Sequence, residues 1–212
     1  MKAATTLLVA LVSLCSLRGQ EITEKHIDFS GKENLKLNIQ IADSIRLQTW
    51  SRNEVYVTAS VNINDNKDNE AYIISFDDQQ KSVIVQADFK KDYFRGRENC
   101  CCDDTEIRWN IFLPEKAEFS VETINGNITI TGMTSKLEVK SISGFIDLEA
   151  PAVRSANIEF STLTGTIYSD HDLNLSGSRA TGQNVIRQSL SKGKPLIKLE
   201  TISGDIFFRK SG

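Results

Sequence analysis

Histidine and the local signatures of catalytic centres are nearly absent from this sequence of 212 residues. Its two histidines are His26 and His171, and it contains no Gly-x-Ser-x-Gly elbow, phosphate-binding loop or His-x-x-x-His pair. Asp170-His171-Asp172 is interpreted as a polar turn between strands. A pair of carboxylates on adjacent coils, as in glycosidases, is the weaker alternative. The sequence therefore predicts a protein that is not an enzyme, with no catalytic residues and no cofactor.

An excess of basic charge is also missing, as is any long apolar run beyond the N-terminal segment. The chain has 25 Lys and Arg against 28 Asp and Glu. Nucleic acids attract proteins through clustered basic side chains, so this balance argues against a nucleic-acid partner. No later segment approaches the length of a transmembrane helix. We therefore expect no membrane span once the N-terminal segment is removed.

The N-terminal segment has the pattern of a secretory signal peptide. Lys2 precedes an apolar run over residues 7–14, which is too short to span a bilayer. Cleavage is predicted near Gly19 or Gln20, so that the signal comprises the first 19 residues. Lipidation of Cys15 is the weaker alternative. The protein is thus predicted to be exported, to the periplasm, the cell surface or the medium.

One short sequence motif occurs four times in the second half of the chain. Each copy is centred on a glycine, and the four are Gly126, Gly144, Gly165 and Gly204. Their spacings of 18, 21 and 39 residues indicate a period of roughly 20, with the last gap spanning two periods. Another copy of poor quality surrounds Gly182, and we interpret it as a degenerate coil.

Alignment on the glycine shows a strand, a corner and a second strand in every copy. The positions seven and five before Gly and two after it are apolar, which is the alternation of half-buried strands. A hydroxyl residue stands three before Gly, and an isoleucine or leucine two before Gly interrupts the alternation. A polar residue and Gly then supply the turn. Because one unit cannot bury its apolar side alone, the copies are expected to stack as successive windings.

The rest of the chain also alternates like strands. Strand patterns occur over residues 35–41, 45–50, 55–61 and 106–113, and a hairpin is predicted between 71–76 and 82–87. The sequence therefore predicts an all-β fold, a single-stranded, β-helix-like β-solenoid with larger, irregular N-terminal coils and hairpins. Residues 20–114 form the N-terminal β region and 115–212 the repeat region, continuous as one domain.

The order of these motifs resembles a known bacterial family. It runs from Ser44–Trp50 and Val55–Val57 through Ile111–Pro114 and the glycine repeats to Glu200–Ile206. This order is similar to that of the "putative adhesin" family, also called the toast-rack domain, whose function is uncharacterised. The resemblance covers about residues 25–210 and implies an exported β-solenoid. The family has no established catalytic residues, so the resemblance assigns none here.

Three consecutive cysteines stand in a charged loop. If Cys100-Cys101-Cys102 is extended, Cys100 and Cys102 share a face, and a bond between adjacent cysteines would be strained. Three interpretations remain open: a soft-metal site with Asp103 or Asp104, a redox or intermolecular disulfide, and a variable loop without chemistry. The first two would make the protein an envelope sensor or accessory protein.

Three aromatic residues follow the repeat glycines at positions of outward parity. Phe145 lies one residue after its glycine, and Tyr168 and Phe207 lie three after theirs. Stacked coils would gather them into a surface strip for binding, or a loop would cover them. The favoured hypothesis is an adhesin-like solenoid that presents an interaction surface to a protein or glycan in the envelope or outside the cell. The sensor with a cysteine loop is the alternative.

Overall fold

The computed structural model describes residues 21–94, 104–153, 155–173, 184–190 and 195–211. Its described strands form one connected, open sheet of fifteen, accompanied by a short 3₁₀ turn at Asn69–Ala71. The prediction of an all-β protein is therefore confirmed. The strands are β1 (Glu21–Asp28), β2 (Asn34–Ile39), β3 (Ile41–Trp50), β4 (Glu54–Ile63), β5 (Tyr72–Asp78), β6 (Ser82–Phe89), β7 (Thr105–Pro114), β8 (Glu118–Thr131), β9 (Lys136–Ser143), β10 (Ile146–Ala150), β11 (Ala156–Thr162), β12 (Ile167–Ser169), β13 (Asn184–Leu190), β14 (Leu196–Ser203) and β15 (Ile206–Lys210).

The strands follow from the alternation of apolar and polar residues. In β4, Val55, Val57, Ala59, Val61 and Ile63 are buried, and the residues between them are partly exposed. Successive side chains of a strand point to opposite faces, so this pattern directs one face to a core and the other to solvent. The hairpin of β5 and β6 forms as expected, in antiparallel register.

The sheet divides into two ladders that share β8. The first ladder has the order β5-β6-β2-β8-β9-β14-β11-β13. The second ladder has the order β1-β4-β7-β3-β8-β10-β15-β12. Residues before the corner at Gly126 belong to the first ladder, and those after it belong to the second. The buried apolar side chains of both ladders belong to one hydrophobic cluster.

The four glycine-centred segments lie beside one another in parallel register. Val121 pairs with Val139, Val139 with Leu199, and Leu199 with Phe160, and all four are fully buried. In the second ladder, the isoleucines two residues after each glycine pair in the same way. The alignment on glycine therefore identified which residues share a level of the core.

The order of the segments differs from the expected order of successive windings. The fourth segment, in β14 and β15, lies between the second segment and the third, so the third is outermost. All four segments carry apolar residues at equivalent positions, so each can pair with any other. Their pattern specifies which side chains face inward, but it does not specify which segment is the neighbour of which.

A further unit of the same shape comes from β2 and β3, in the region where the sequence predicted larger, irregular coils. Leu35 and Leu37 pair with Phe119 and Val121 of β8, and Ile45 pairs with Ile128 beyond the corner. This unit has no corner glycine, and a register shift between Ile41 and Ser44 accommodates extra residues at its turn. The insertion disguises the repeat in the sequence.

The degenerate coil predicted around Gly182 does not form in the way expected. Gly182 lies outside the described residues, and Val185 and Ile186 belong to β13, which runs antiparallel to β11. A winding of the same kind would require a parallel strand. β13 instead covers the edge of β11, which would otherwise present unpaired backbone groups.

The corner glycines are needed mainly for close backbone approach. Only Gly144 and Gly204 of the four have positive φ, 112° and 157°. A Cβ on Gly144 would overlap the carbonyl oxygen of Gly126, and one on Gly165 would overlap that of Gly204. A positive φ is therefore a reason for glycine at Gly144 and Gly204, whereas at Gly165 the reason is close backbone approach alone.

Candidate functional site: the outer face of the second ladder

The outward side chains of the second ladder form a continuous surface across its eight strands. Register relations place them in rows that cross the strands. One row contains His26, Tyr56, Phe112, Gln48, Thr131, Glu149 and Arg209. The next row contains Glu24, Thr58, Asn110, Arg46, Thr129, Asp147, Phe207 and Tyr168. We call this surface the outer face.

The three aromatic residues singled out in the sequence meet at one end of the outer face. The rings of Tyr168 and Phe207 stack with centroids 5.1 Å apart, and Phe145 meets Phe207 edge-on at 6.3 Å. Tyr168 is 49% exposed, and the other two are partly exposed. We call these three residues the aromatic strip.

A second aromatic group lies toward the other end of the outer face and was not identified from the sequence. Tyr56 stacks on His26 at 4.3 Å, and Trp50 stacks on Phe112 at 5.1 Å. Arg52 lies over the Trp50 ring, 4.9 Å from its centroid. The outward parity of these residues was visible in each strand. Their proximity was not, because it depends on how β1, β4, β7 and β3 pair.

Hydrogen bonds hold the second aromatic group in place. The Trp50 indole Nε1 donates to the backbone oxygen of Glu54 at 2.7 Å. The Tyr56 hydroxyl donates to the Glu24 carboxylate, and His26 Nδ1 lies 2.6 Å from Glu54 Oε1. Side chains fixed in this way lose little further conformational entropy when they bind a ligand.

Polar side chains on β3, β8 and β10 lie between the two aromatic groups. They include the uncharged residues Gln48, Thr129 and Thr131 and the charged residues Arg46, Asp147 and Glu149. The carboxylate of Asp147 is satisfied within the chain, because Arg209 binds both of its oxygens, at 2.7 and 2.6 Å. These hydrogen bonds and the charge of Asp147 raise the pKa of Arg209. Arg46 has no ion-pair partner within the described part of the chain.

A separate apolar row lies on the outside of the first ladder. It consists of the residues two before each corner glycine, which are Ile124, Ile142, Ile202 and Leu163, and they are 42–48% exposed. They line a groove of about 630 Å³ together with Glu122, Lys140, Glu200 and other polar residues. In the sequence these residues indicated only a break in alternation; in the structure they form an exposed apolar surface.

The other candidate residues are placed differently. Cys100, Cys101, Cys102 and Asp103 lie outside the described residues, as does Cys15. Asp104 is exposed, and its backbone oxygen accepts a hydrogen bond from Asn64. The described residues contain no group of three or more His, Cys, Asp or Glu side chains that could hold a metal ion.

The Asp170-His171-Asp172 triplet lies in a bend after β12. His171 is 7% exposed, and its ring stacks on Phe208 with centroids 3.9 Å apart. The Asp170 carboxylate accepts a hydrogen bond from the backbone nitrogen of Lys210 at 2.7 Å. The three residues therefore make structural contacts with the end of β15.

None of the described segments forms a helix with the length and apolar character that crossing a bilayer requires.

A solved bacterial protein shares the fold of this chain. The chain is similar to a putative cell adhesion protein from Clostridium sporogenes, with a TM-score of 0.58 and 13% identity over 91% of this chain and 100% of that one. It is also similar to a putative adhesin from Bacteroides fragilis, with a TM-score of 0.33 and 9% identity over 91% and 98% of the two chains. The similarity to the Clostridium protein confirms at the level of the fold the resemblance found in the sequence. No family model and no curated protein matches the chain.

Proposed function

We propose that the protein is an exported, non-enzymatic, adhesin-like β-solenoid that binds a glycan on the outer face of its second ladder. One observation carries the proposal: two partly exposed aromatic groups flank a belt of polar side chains on one sheet face. Binding sites for small ligands combine aromatic contact area with a few well-placed polar groups. Sugar rings present both apolar C–H surfaces and hydroxyl groups, so they fit this combination.

The spacing of the outer face suits an extended oligosaccharide. Phe207 and Phe112 lie on strands four steps apart, which is about 19 Å at the usual strand separation of about 4.8 Å. Each intervening strand supplies outward polar residues, and the distance between neighbouring strands is similar to the length of one pyranose unit. Successive sugar units would therefore each meet hydrogen-bonding side chains, from Gln48 through Thr131 to Glu149.

The proposed solenoid winding is supported by the link between β8 and β9. These parallel neighbours are joined by residues 132–135, and the Ser135 hydroxyl donates to the backbone oxygen of Ala117 at 3.0 Å. The end of one unit thus returns to the start of the next. Repeated stacking of this kind would hold the outer face rigid, as display of a binding surface requires.

The direct test is binding of neutral oligosaccharides of increasing length, by glycan array and then calorimetry. Affinity is expected to rise with length until the chain spans both aromatic groups. Tyr168→Ala and Phe207→Ala should each weaken binding by about tenfold, as loss of a central aromatic contact does at other interfaces. Ile73→Ala is the control, because Ile73 is similarly exposed at 48% but lies on β5 of the first ladder.

Unchanged affinity in the Tyr168 and Phe207 variants would reject the outer face as the site. Absence of binding across the array would reject the glycan, and turnover of a bound polysaccharide would reject the non-enzymatic role. The proposed export has its own test. Fractionation of the producing cell with N-terminal sequencing should give a mature chain that starts near Gln20, whereas a chain retained in the cytoplasm with its N-terminal segment would refute it.

A further inference from the structure

The exposed apolar row on the first ladder has no role in the proposed glycan site. Ile124, Ile142, Ile202 and Leu163 account for four of the seven large apolar side chains that are exposed among the described residues. Ile124, Ile142 and Ile202 lie on β8, β9 and β14, and Leu163 directly follows β11; these four strands are consecutive in the ladder. An apolar patch with a polar border on a folded protein commonly marks a protein interface.

Two charged rows accompany the apolar row on the same four strands. The row next to it contains, in ladder order, Glu122, Lys140, Glu200 and Ser161. The row beyond that contains Ser120, Glu138, Lys198 and Glu159. Within the chain these charges are partly paired, with Lys198 3.1 Å from Glu200 and Lys140 3.7 Å from Glu122.

We propose that this surface, the four-strand face, pairs with the same face of a second copy of the chain. The symmetry would be a twofold axis that lies parallel to the strands between β9 and β14. Rotation about this axis reverses the order of the strands in the facing copy and leaves the position of each residue along its strand unchanged. It therefore matches β9 with β14 of the other copy, and β8 with β11, which is the reciprocal relationship required of a twofold interface.

The charges are complementary under this arrangement. Lys140 meets Glu200 of the second copy, and Glu138 meets Lys198. The apolar row meets itself, with Ile142 against Ile202 and Ile124 against Leu163. An axis in the same plane but perpendicular to the strands, through the row of Lys140, would instead place the apolar row against a charged row and Lys140 against its own copy. The first arrangement matches apolar with apolar and positive with negative over all three rows, so a second copy is the occupant that the surface specifies.

The size of the face predicts a weak dimer. Four strands at about 4.8 Å spacing and seven residues at about 3.3 Å rise give a footprint of roughly 19 by 23 Å, so the pair buries on the order of 1,000 Å² in total. Stable interfaces bury about 1,200 Å² or more. Lys36 on β2 and Arg187 on β13 would face each other at the margins, where sheet twist separates the two copies.

Dimerisation would change what the outer face can do. The four-strand face and the outer face lie on different ladders, so pairing through the first leaves the second exposed in both copies. Two outer faces on one particle can bind a repetitive ligand with higher avidity than one. The dimer does not depend on glycan binding and can be tested without a ligand.

The test is sedimentation of the mature chain over a range of concentrations. The wild type should show a monomer–dimer equilibrium with a dissociation constant in about the micromolar range. Ile142→Lys should weaken association by at least about tenfold, because it places a charge in the apolar row. Ile73→Lys is the matched control, since Ile73 and Ile142 are 48% and 47% exposed and Ile73 lies outside the four-strand face.

A charge exchange tests the orientation of the two copies. Lys140→Glu should weaken the dimer because it meets Glu200 of the second copy, and the double variant Lys140→Glu with Glu200→Lys should recover association. A wild type that stays monomeric at about millimolar concentration overturns the proposal. Equal effects of Ile142→Lys and Ile73→Lys reject this face as the interface, and failure of the double variant to recover rejects the twofold arrangement.

Discussion

The hydroxyl group of Thr162 donates a hydrogen bond of 2.9 Å to the backbone oxygen of Gly204, the corner glycine of the neighbouring unit. Thr201 makes the equivalent contact with Gly144 at 3.4 Å. These threonines are the hydroxyl residues three before each glycine, and they are almost completely buried. The recurring hydroxyl therefore binds a backbone carbonyl at the corner, where the ladder pattern is interrupted.

Replacement of Thr162 by valine should destabilise the fold by about 1–2 kcal/mol, because the Gly204 oxygen and the Gly165 backbone nitrogen each lose a partner in a partly buried site. Thr166→Val is the matched control, since Thr166 is exposed, and it should change stability by less than about 0.5 kcal/mol. Chemical denaturation of the three proteins measures the difference. Equal stability of the two variants would contradict the role given to the corner hydroxyl.

Gly144→Ala should destabilise the protein by about 3 kcal/mol or more, because the added Cβ is disfavoured by the positive φ and overlaps the Gly126 carbonyl. Gly31→Ala measures the effect of a positive φ without the effect of close backbone approach. Gly31 has a φ of 76° but has no atom within 4 Å of the added Cβ, so that variant should lose only about 1–2 kcal/mol. Similar losses in both variants, measured by thermal or chemical unfolding, would show that close approach at the corner does not matter.

Leu199→Ala should loosen two strands, β9 and β11, that are remote from Leu199 in the sequence. Leu199 is fully buried in β14, between β9 and β11, and its truncation should lower stability by about 2–5 kcal/mol. Hydrogen exchange should accelerate in β9 and β11 alike. Val85→Ala, a buried change in β6, is the comparison and should affect the strands near β2 first. Faster exchange in β11 without any change in β9 would be inconsistent with the order of the ladder.

Stability should fall at alkaline pH through Tyr72. Burial raises the pKa of its phenol, and the charge of Asp88 raises it further. An unfolded tyrosine loses its proton near pH 10, so above that pH the unfolded chain binds fewer protons than the folded chain. The stability contributed by the protonated phenol is therefore complete below about pH 10 and is lost as the pH rises toward the folded value.

Tyr72→Phe should reveal this dependence. At neutral pH the variant should be less stable by about 1 kcal/mol, because the Tyr72 hydroxyl donates to the Ile41 oxygen at 2.8 Å. Above about pH 10 the difference should shrink, since phenylalanine cannot ionise. Unfolding curves measured across this range provide the check, and a constant difference between the two proteins would argue against titration of Tyr72.

The sequence predicted the parts of the fold that depend on local pattern. The alternation around Val121, Val139, Phe160 and Leu199 identified inward residues, and all of them are buried on the same level of the core. The order of the segments could not be predicted, because equivalent apolar positions allow any pair to be neighbours. The role of the corner glycines was only partly predicted, since close approach depends on a neighbouring unit.

The candidate surfaces were also only partly predicted from the sequence. The outward positions of Phe145, Tyr168 and Phe207 followed from parity, and their rings meet. The group around Trp50 and Tyr56 was missed because it requires strands distant in the sequence to pair in one register. Their binding roles remain predictions that the glycan and sedimentation experiments test.

The position of β14 and β15 in the sheet also affects how the fold can form during synthesis. During synthesis, β11 and β12 leave the ribosome before the strands that must lie between them and the second unit. Until β14 has been synthesised, β11 lacks the parallel neighbour that it has in the folded sheet. Its apolar side chains can then contact other chains. Folding of a newly synthesised chain would then depend on rapid synthesis of β14 and β15, or on a chaperone that covers the exposed edge of β11.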